Sequence, residues 1–202
     1  MAVWGCAAQR VASLSAAMVF PDRTCPRNSV TGWLTICLLL WATVGRAEGL
    51  RLESVGARGG ISANLTGVSF NQAEVFANWN LPWAWDLGNE WGLQSRLDFS
   101  AGWLRDRGDN AAIGTVGPSL VLSRERLPVS LEGGISPTLL SQYDFESRNF
   151  GTYVQFTSHV GLNWDFAAHW RLGYRLQHMS NAGLGSHNRG LNMHLFALSR
   201  VF

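Results

Sequence analysis

The sequence predicts an all-β protein, an eight-stranded antiparallel transmembrane β-barrel, and three observations lead there. Beyond residue 47 there is no run of 18 apolar residues and no long stretch of 3.6-residue periodicity, which excludes a helical membrane protein or a helix bundle. Instead, about eight segments of roughly ten residues alternate partially between apolar and polar side chains, as strands do when one face meets lipid and the other a lumen. Tryptophans gather where those segments end: Trp79, Trp83, Trp85 and Trp91 surround one break, and Trp164 and Trp170 flank another. Such rings favour the membrane–water interface, being apolar with one N–H that wants a partner. Eight strands is also a number at which a barrel closes on its own side chains.

The elements follow in order. Residues 31–44 form an uncharged, largely apolar run followed by Gly45-Arg46-Ala47, whose small residues suit signal peptidase. The run is short for a membrane helix and reads as a secretory signal. The 30 residues before it are long for a leader, and a start at Met18 would shorten them. Residues 1–47 are therefore assigned to a signal peptide with an over-long extension, and 48–202 to one barrel domain. Strands are expected at 51–60, 71–84, 91–104, 112–124, 128–142, 152–165, 170–181 and 191–202. The breaks Asp86-Leu87-Gly88-Asn89, Arg124-Glu125-Arg126 and Asp165-Phe166-Ala167-Ala168 are short and suit inner turns, whereas 143–151 and 182–190 are longer and polar and suit outer loops. Phe202 ends the chain with the terminal aromatic familiar in outer-membrane proteins, although Arg200 stands where an apolar residue is usual.

Composition removes several classes of function. The chain has 16 basic and 14 acidic residues; without Arg10, Arg23, Arg27, Arg46 and Asp22 the remainder carries 16 − 4 = 12 arginines and 14 − 1 = 13 acids. A net charge near −1 argues against a nucleic-acid partner. Cys6, Cys25 and Cys37 all leave with the leader, so no disulfide or thiol chemistry is expected. His159, His169, His178, His187 and His194 lack a carboxylate cluster and straddle both ends of the barrel, so no metal site is expected. There is no phosphate loop or dinucleotide fingerprint, and no cofactor is expected. Arg105, Arg107, Arg148 and Arg189 lie in or near outer loops, where they suit phosphate groups or ordinary ion pairs with Asp106 and Asp109.

The chemistry gathers near the end of the chain, at His178-Met179-Ser180-Asn181-Ala182-Gly183 and Asn188-Arg189-Gly190-Leu191-Asn192. A histidine two residues before a serine on a strand puts a base beside a nucleophile on one face. The even positions of the seventh strand, Leu172, Tyr174, Leu176, His178 and Ser180, form its more apolar face, so the pair opens toward the bilayer. Asn192 and His194 share that parity on the eighth strand, which brings Asn192 beside His178. Polar groups at a lipid-facing rim cost free energy, and acting on a bond near a lipid headgroup supplies a reason for them.

His178-x-Ser180-Asn181-Ala182-Gly183, Asn188-x-Gly190 and the terminal strand resemble the outer-membrane lipid A 3-O-deacylases of the PagL type. The likeness is close over about 25 residues and otherwise extends to length, strand rhythm and tryptophan content. It implies hydrolysis of the ester holding a 3-hydroxyacyl chain at the 3-position of lipid A in the outer leaflet of a Gram-negative outer membrane, with no cofactor. Ser180 would be the nucleophile, His178 the base, and the N–H groups near Asn181 and Gly183 the oxyanion donors. The family's third member is a glutamate where this chain has Asn192, which leaves Asp144 and Glu146 as carboxylates that could be borrowed. The alternative favoured by Asn192 is a catalytically weak or inactive barrel with a structural or interaction role. A soluble β-sandwich with core tryptophans and a soluble lipid-binding barrel are the non-membrane alternatives. The lipopolysaccharide substrate and the outer membrane are the expected partners, and pairing of two barrels as a homodimer is left open.

Overall fold

The computed structural model describes residues 49–63, 69–185 and 187–202. The expected leader, 1–47, lies outside them. Eight strands form a closed antiparallel barrel in which every strand pairs with its sequence neighbour and β8 closes on β1. They are β1 (Arg51–Ser62), β2 (Phe70–Gly88), β3 (Trp91–Asp106), β4 (Asp109–Arg124), β5 (Val129–Leu140), β6 (Val154–Ala167), β7 (Trp170–Ser180) and β8 (Leu191–Val201).

Most expected boundaries hold to within two residues, and two move further, the end of β2 and the start of β4. β2 runs on to Gly88, because the chain reverses only where Gly88, Asn89 and Glu90 adopt positive φ of 78°, 52° and 69°. The connection between β3 and β4, expected to lie between strands ending at 104 and starting at 112, is a tight turn with Arg107 at φ 48°. Glycine and asparagine reach that region at little cost, which explains Gly88 and Asn89 better than it explains Glu90 and Arg107.

Burial is inverted relative to a soluble protein. Large apolar side chains such as Trp103, Phe196, Val75 and Leu139 stand on the outer wall, while Arg58, Glu74, Arg96, Asp98, Glu132 and Arg175 are buried inside. Trp85, Trp91, Trp164, Phe166 and Trp170 ring the end that carries the short turns. The lumen holds its charges in pairs, as burial demands. Glu132 accepts from Arg96 Nη2 at 2.6 Å, Asn163 Nδ2 at 3.0 Å and Arg175 Nε at 2.9 Å. Asp98 accepts from Arg96 Nε at 2.8 Å and Ser119 at 3.0 Å, and Arg58 pairs with Glu74.

The long-loop end of the lumen is instead an apolar plug. Phe70 packs edge-on to Phe145 at 5.2 Å and tilted to Phe150 at 5.7 Å, with Leu104, Met179, Leu191 and Met193 buried around them. Met179 and Leu191 carry the argument forward to the site. Strand side chains alternate, so burying these two in the plug forces His178, Ser180 and Asn192 onto the outer wall.

Candidate active site

The register of β7 and β8 sets His178 directly opposite Asn192. His178 Nδ1 and Asn192 Oδ1 are 2.6 Å apart. An amide oxygen can only accept, so Nδ1 carries the proton and Nε2 is left with its lone pair, the tautomer a general base needs. Both side chains are exposed on the outer wall. Ser180 lies two residues further along the same face, half-buried, and its hydroxyl makes no hydrogen bond among the described residues. The expected base and its orienting residue are therefore brought together, and the expected nucleophile shares their face without being bonded to either.

Beyond Ser180 the chain turns through Ala182 at φ 52° and Gly183 at φ 82°, with Leu184 N–H donating to Asn181 O at 3.0 Å. The two amides expected to serve an oxyanion are already engaged. Asn181 N–H donates to Asn188 Oδ1 at 3.2 Å, and Gly183 N–H donates to Asn181 Oδ1 at 2.9 Å. The Asn181 side chain is fully buried, and its Nδ2 donates to Phe150 O at 2.8 Å and His187 O at 2.5 Å. It thereby stitches the β7–β8 loop to the β5–β6 loop.

Two contributors were missed as site residues, and a third, Arg148, was expected only as a candidate for phosphate groups or ordinary ion pairs. Asn188 caps the Asn181 amide. Gly190 lies against the imidazole: a Cβ there would stand 2.5 Å from His178 Cε1 and 3.1 Å from Nε2, so only glycine leaves the ring its place. Arg148, from the β5–β6 loop, donates through Nη1 to Gly190 O. Asn188 and Gly190 were visible as part of the motif, but nothing in the sequence indicated that Arg148 would cross 42 residues to reach them.

Neither Asp144 nor Glu146 supplies the missing acid. Glu146 leans over the opposite side of the barrel, where its N–H donates to Asp109 Oδ2 at 2.7 Å and its carboxylate faces Arg107 at 3.6 Å. Asp144 bridges to Asn149 within its own loop. Among the described residues no carboxylate pairs with His178. Arg105 and Arg107 belong to that far side too, and Arg105 Nε donates to Arg107 O at 3.4 Å; only Arg148 and Arg189 come to the site. No cluster of residues able to hold a metal occurs among the described residues.

A shallow depression runs along the same wall past Ser158, Val160, Leu176, His178 and Asn192. Its lining mixes apolar residues, Ala63, Val160, Leu176 and Met193, with Ser158, His159, Gln177 and the candidate residues. Further along the wall, Tyr174 OH and His194 Nδ1 lie 2.7 Å apart, a polar pair that satisfies itself.

A small barrel that carries His178, Ser180 and Asn192 on its outer wall has counterparts among known proteins. The family model described as Lipid A 3-O-deacylase (PagL) matches residues 71–200. The chain belongs to that family. Lipid A deacylase PagL of Bordetella bronchiseptica is 29% identical over 150 residues, covering 67% of this chain and 79% of the relative. The crystal structure of the outer membrane enzyme PagL superposes with a TM-score of 0.63 at 21% identity, covering 72% of this chain and 97% of that one, and supports the fold. The protein is thus an outer-membrane β-barrel of a hydrolase family that acts on lipid A.

Proposed function

We propose that this protein hydrolyses the ester at the 3-position of lipid A, in the outer leaflet, using Ser180 as nucleophile and His178 as base. The observation that carries the reading is the 2.6 Å contact between His178 Nδ1 and Asn192 Oδ1 on the lipid-facing wall, within the matched family segment. Ser180 Oγ attacks the acyl carbonyl carbon while His178 Nε2 takes its proton. The tetrahedral intermediate collapses with loss of the sugar oxygen, which receives that proton from the imidazolium and departs as the 3-hydroxyl. Water, deprotonated by His178, then attacks the acyl-enzyme and releases the 3-hydroxy fatty acid with Ser180 restored. The Asn181 and Gly183 amides are the proposed oxyanion donors, and displacement of the Asn188 side chain by substrate frees the first. The depression past Val160 and Leu176 suits the acyl chain.

Asn192 fixes the tautomer of His178 as a carboxylate does, without the charge that stabilises the imidazolium. This favours a slow enzyme over a fast one, and full loss of catalysis is the second reading. Expressing the full chain in a Gram-negative host of defined lipid A, alongside Ser180→Ala, tests both. The lipid A mass spectrum should show a serine-dependent loss of one hydroxyacyl chain. An unchanged spectrum from a barrel folded in the outer membrane would exclude the deacylase reading.

A further inference from the structure

Most arginines in this barrel face an acid. Arg58 pairs with Glu74, Arg96 and Arg175 with Asp98 and Glu132, Arg171 with Glu53 and Asp165, Arg107 with Glu146, and Arg124 and Arg126 with Glu90. Among the described residues, Arg105 and Arg200 have no such pair but lie away from the site, bound to Arg107 O and stacked on Phe202, whereas Arg148 and Arg189 lack one beside it. Arg148 Nη1 donates to Gly190 O, which sets its guanidinium beside the residue that follows Arg189. Neither forms an ion pair with a carboxylate among the described residues. Burial and the like charge of Arg189 both weaken the hold of Arg148 on its proton, with Asp106 offsetting them in part. One oxygen of that carboxylate accepts from Ser147, whose N–H donates to it at 3.3 Å and whose hydroxyl donates to the same atom, and the other is buried without a hydrogen-bond partner among the described residues, so Asp106 offsets Arg148 only from a distance. Two guanidinium groups near each other with no carboxylate in ion-pair contact repel each other, and a dianion between them relieves the repulsion.

We propose that Arg148 and Arg189 form a phosphate subsite at the rim, one residue from the imidazole, that takes a phosphate borne by the same sugar as the ester. The proposal rests on the deacylase reading for its substrate and adds a requirement to it: the sugar must be phosphorylated. The placement supports this. Gly190 lies against His178 and accepts from Arg148 through its carbonyl, so a phosphate on the pair would lie beside the imidazole whose face Ser180 shares. Arg148 is also a positioning residue, since it holds Gly190 against the ring, and Arg189, which is exposed and has no such contact, is the cleaner one to vary.

The test is binding, so that it does not depend on turnover. The full-length barrel, refolded in a neutral detergent, is titrated with an ether-linked, non-hydrolysable 3-acyl glucosamine lipid bearing or lacking a 1-phosphate. The phosphorylated lipid should bind roughly 10- to 100-fold tighter, as charge-assisted hydrogen bonds allow. The advantage should shrink as salt rises. Arg189→Gln should reduce the ratio of the two affinities to within about threefold, and Arg189→Lys should recover part of it. Heat-dependent gel mobility confirms that each variant is folded. Equal affinity for the two lipids, a preference intact in Arg189→Gln, or a preference that appears only when an anionic phospholipid is added would overturn the proposal. A parallel hydrolysis assay with the ester separates the readings: phosphate-selective binding without hydrolysis refutes the deacylase and leaves the subsite standing.

Discussion

His178 is held from two sides, by the Asn192 amide at Nδ1 and by the backbone of Gly190 across its Cε1 edge. The first contact orients the ring but contributes no charge. Asn192→Glu should therefore raise turnover by about tenfold or more, against a ceiling near 10⁴ set by the serine-protease comparison. Initial rates on lipid A in detergent check this, and an unchanged or lower rate would mean that Asn192 already meets the chemical need. The second contact is steric. Gly190→Ala pushes a methyl into the imidazole, so it should cut kcat by about 100-fold, the scale expected when a catalytic group is displaced by about 1 Å, while the barrel folds normally. A kcat within threefold of the parent would show that the ring has room to move.

Strand parity decides where the site opens. β7 and β8 were readable because Leu172, Leu176, Phe196 and Leu198 alternate with residues that the lumen accepts, and the same parity carried His178 and Asn192 to the outer wall. The ends of β2, β3 and β4 were not readable, because Trp85 to Gly88 do not alternate and Glu90 and Arg107 adopt a conformation that side chain chemistry does not announce. The contact of Arg148 with Gly190 was invisible for another reason: it joins two loops, and loop-to-loop contacts have no period. The parity rule extends to untested strands. Ile135 faces lipid midway along β5 while Ser136 is buried. Ile135→Arg should destabilise the barrel by about 2–4 kcal/mol, and Ile135→Leu should cost little. Urea midpoints of the folded band compare the two, and equal midpoints would place Ile135 away from the membrane core.

The barrel as a whole is held by charges that cross it. Glu132 of β5 reaches Arg96 of β3 and Arg175 of β7, so one carboxylate ties three strands. Glu132→Leu leaves two buried guanidinium groups with Asp98 as the acid they share and should cost about 3–5 kcal/mol, far more than a surface change. Thermal unfolding followed by gel mobility measures it, and a loss below about 1 kcal/mol would mean that water or Asp98 takes over the neutralisation. With this network in the middle and the phenylalanine plug at one end, the lumen is filled, and substrate has no route through it. On the proposed function, approach is sideways, along the plane of the leaflet. An enzyme whose mouth opens onto that plane meets its substrate in two dimensions. Its rate then follows the mole fraction of substrate among the surrounding lipids rather than the amount per volume of medium, and inert lipid acts as a diluent.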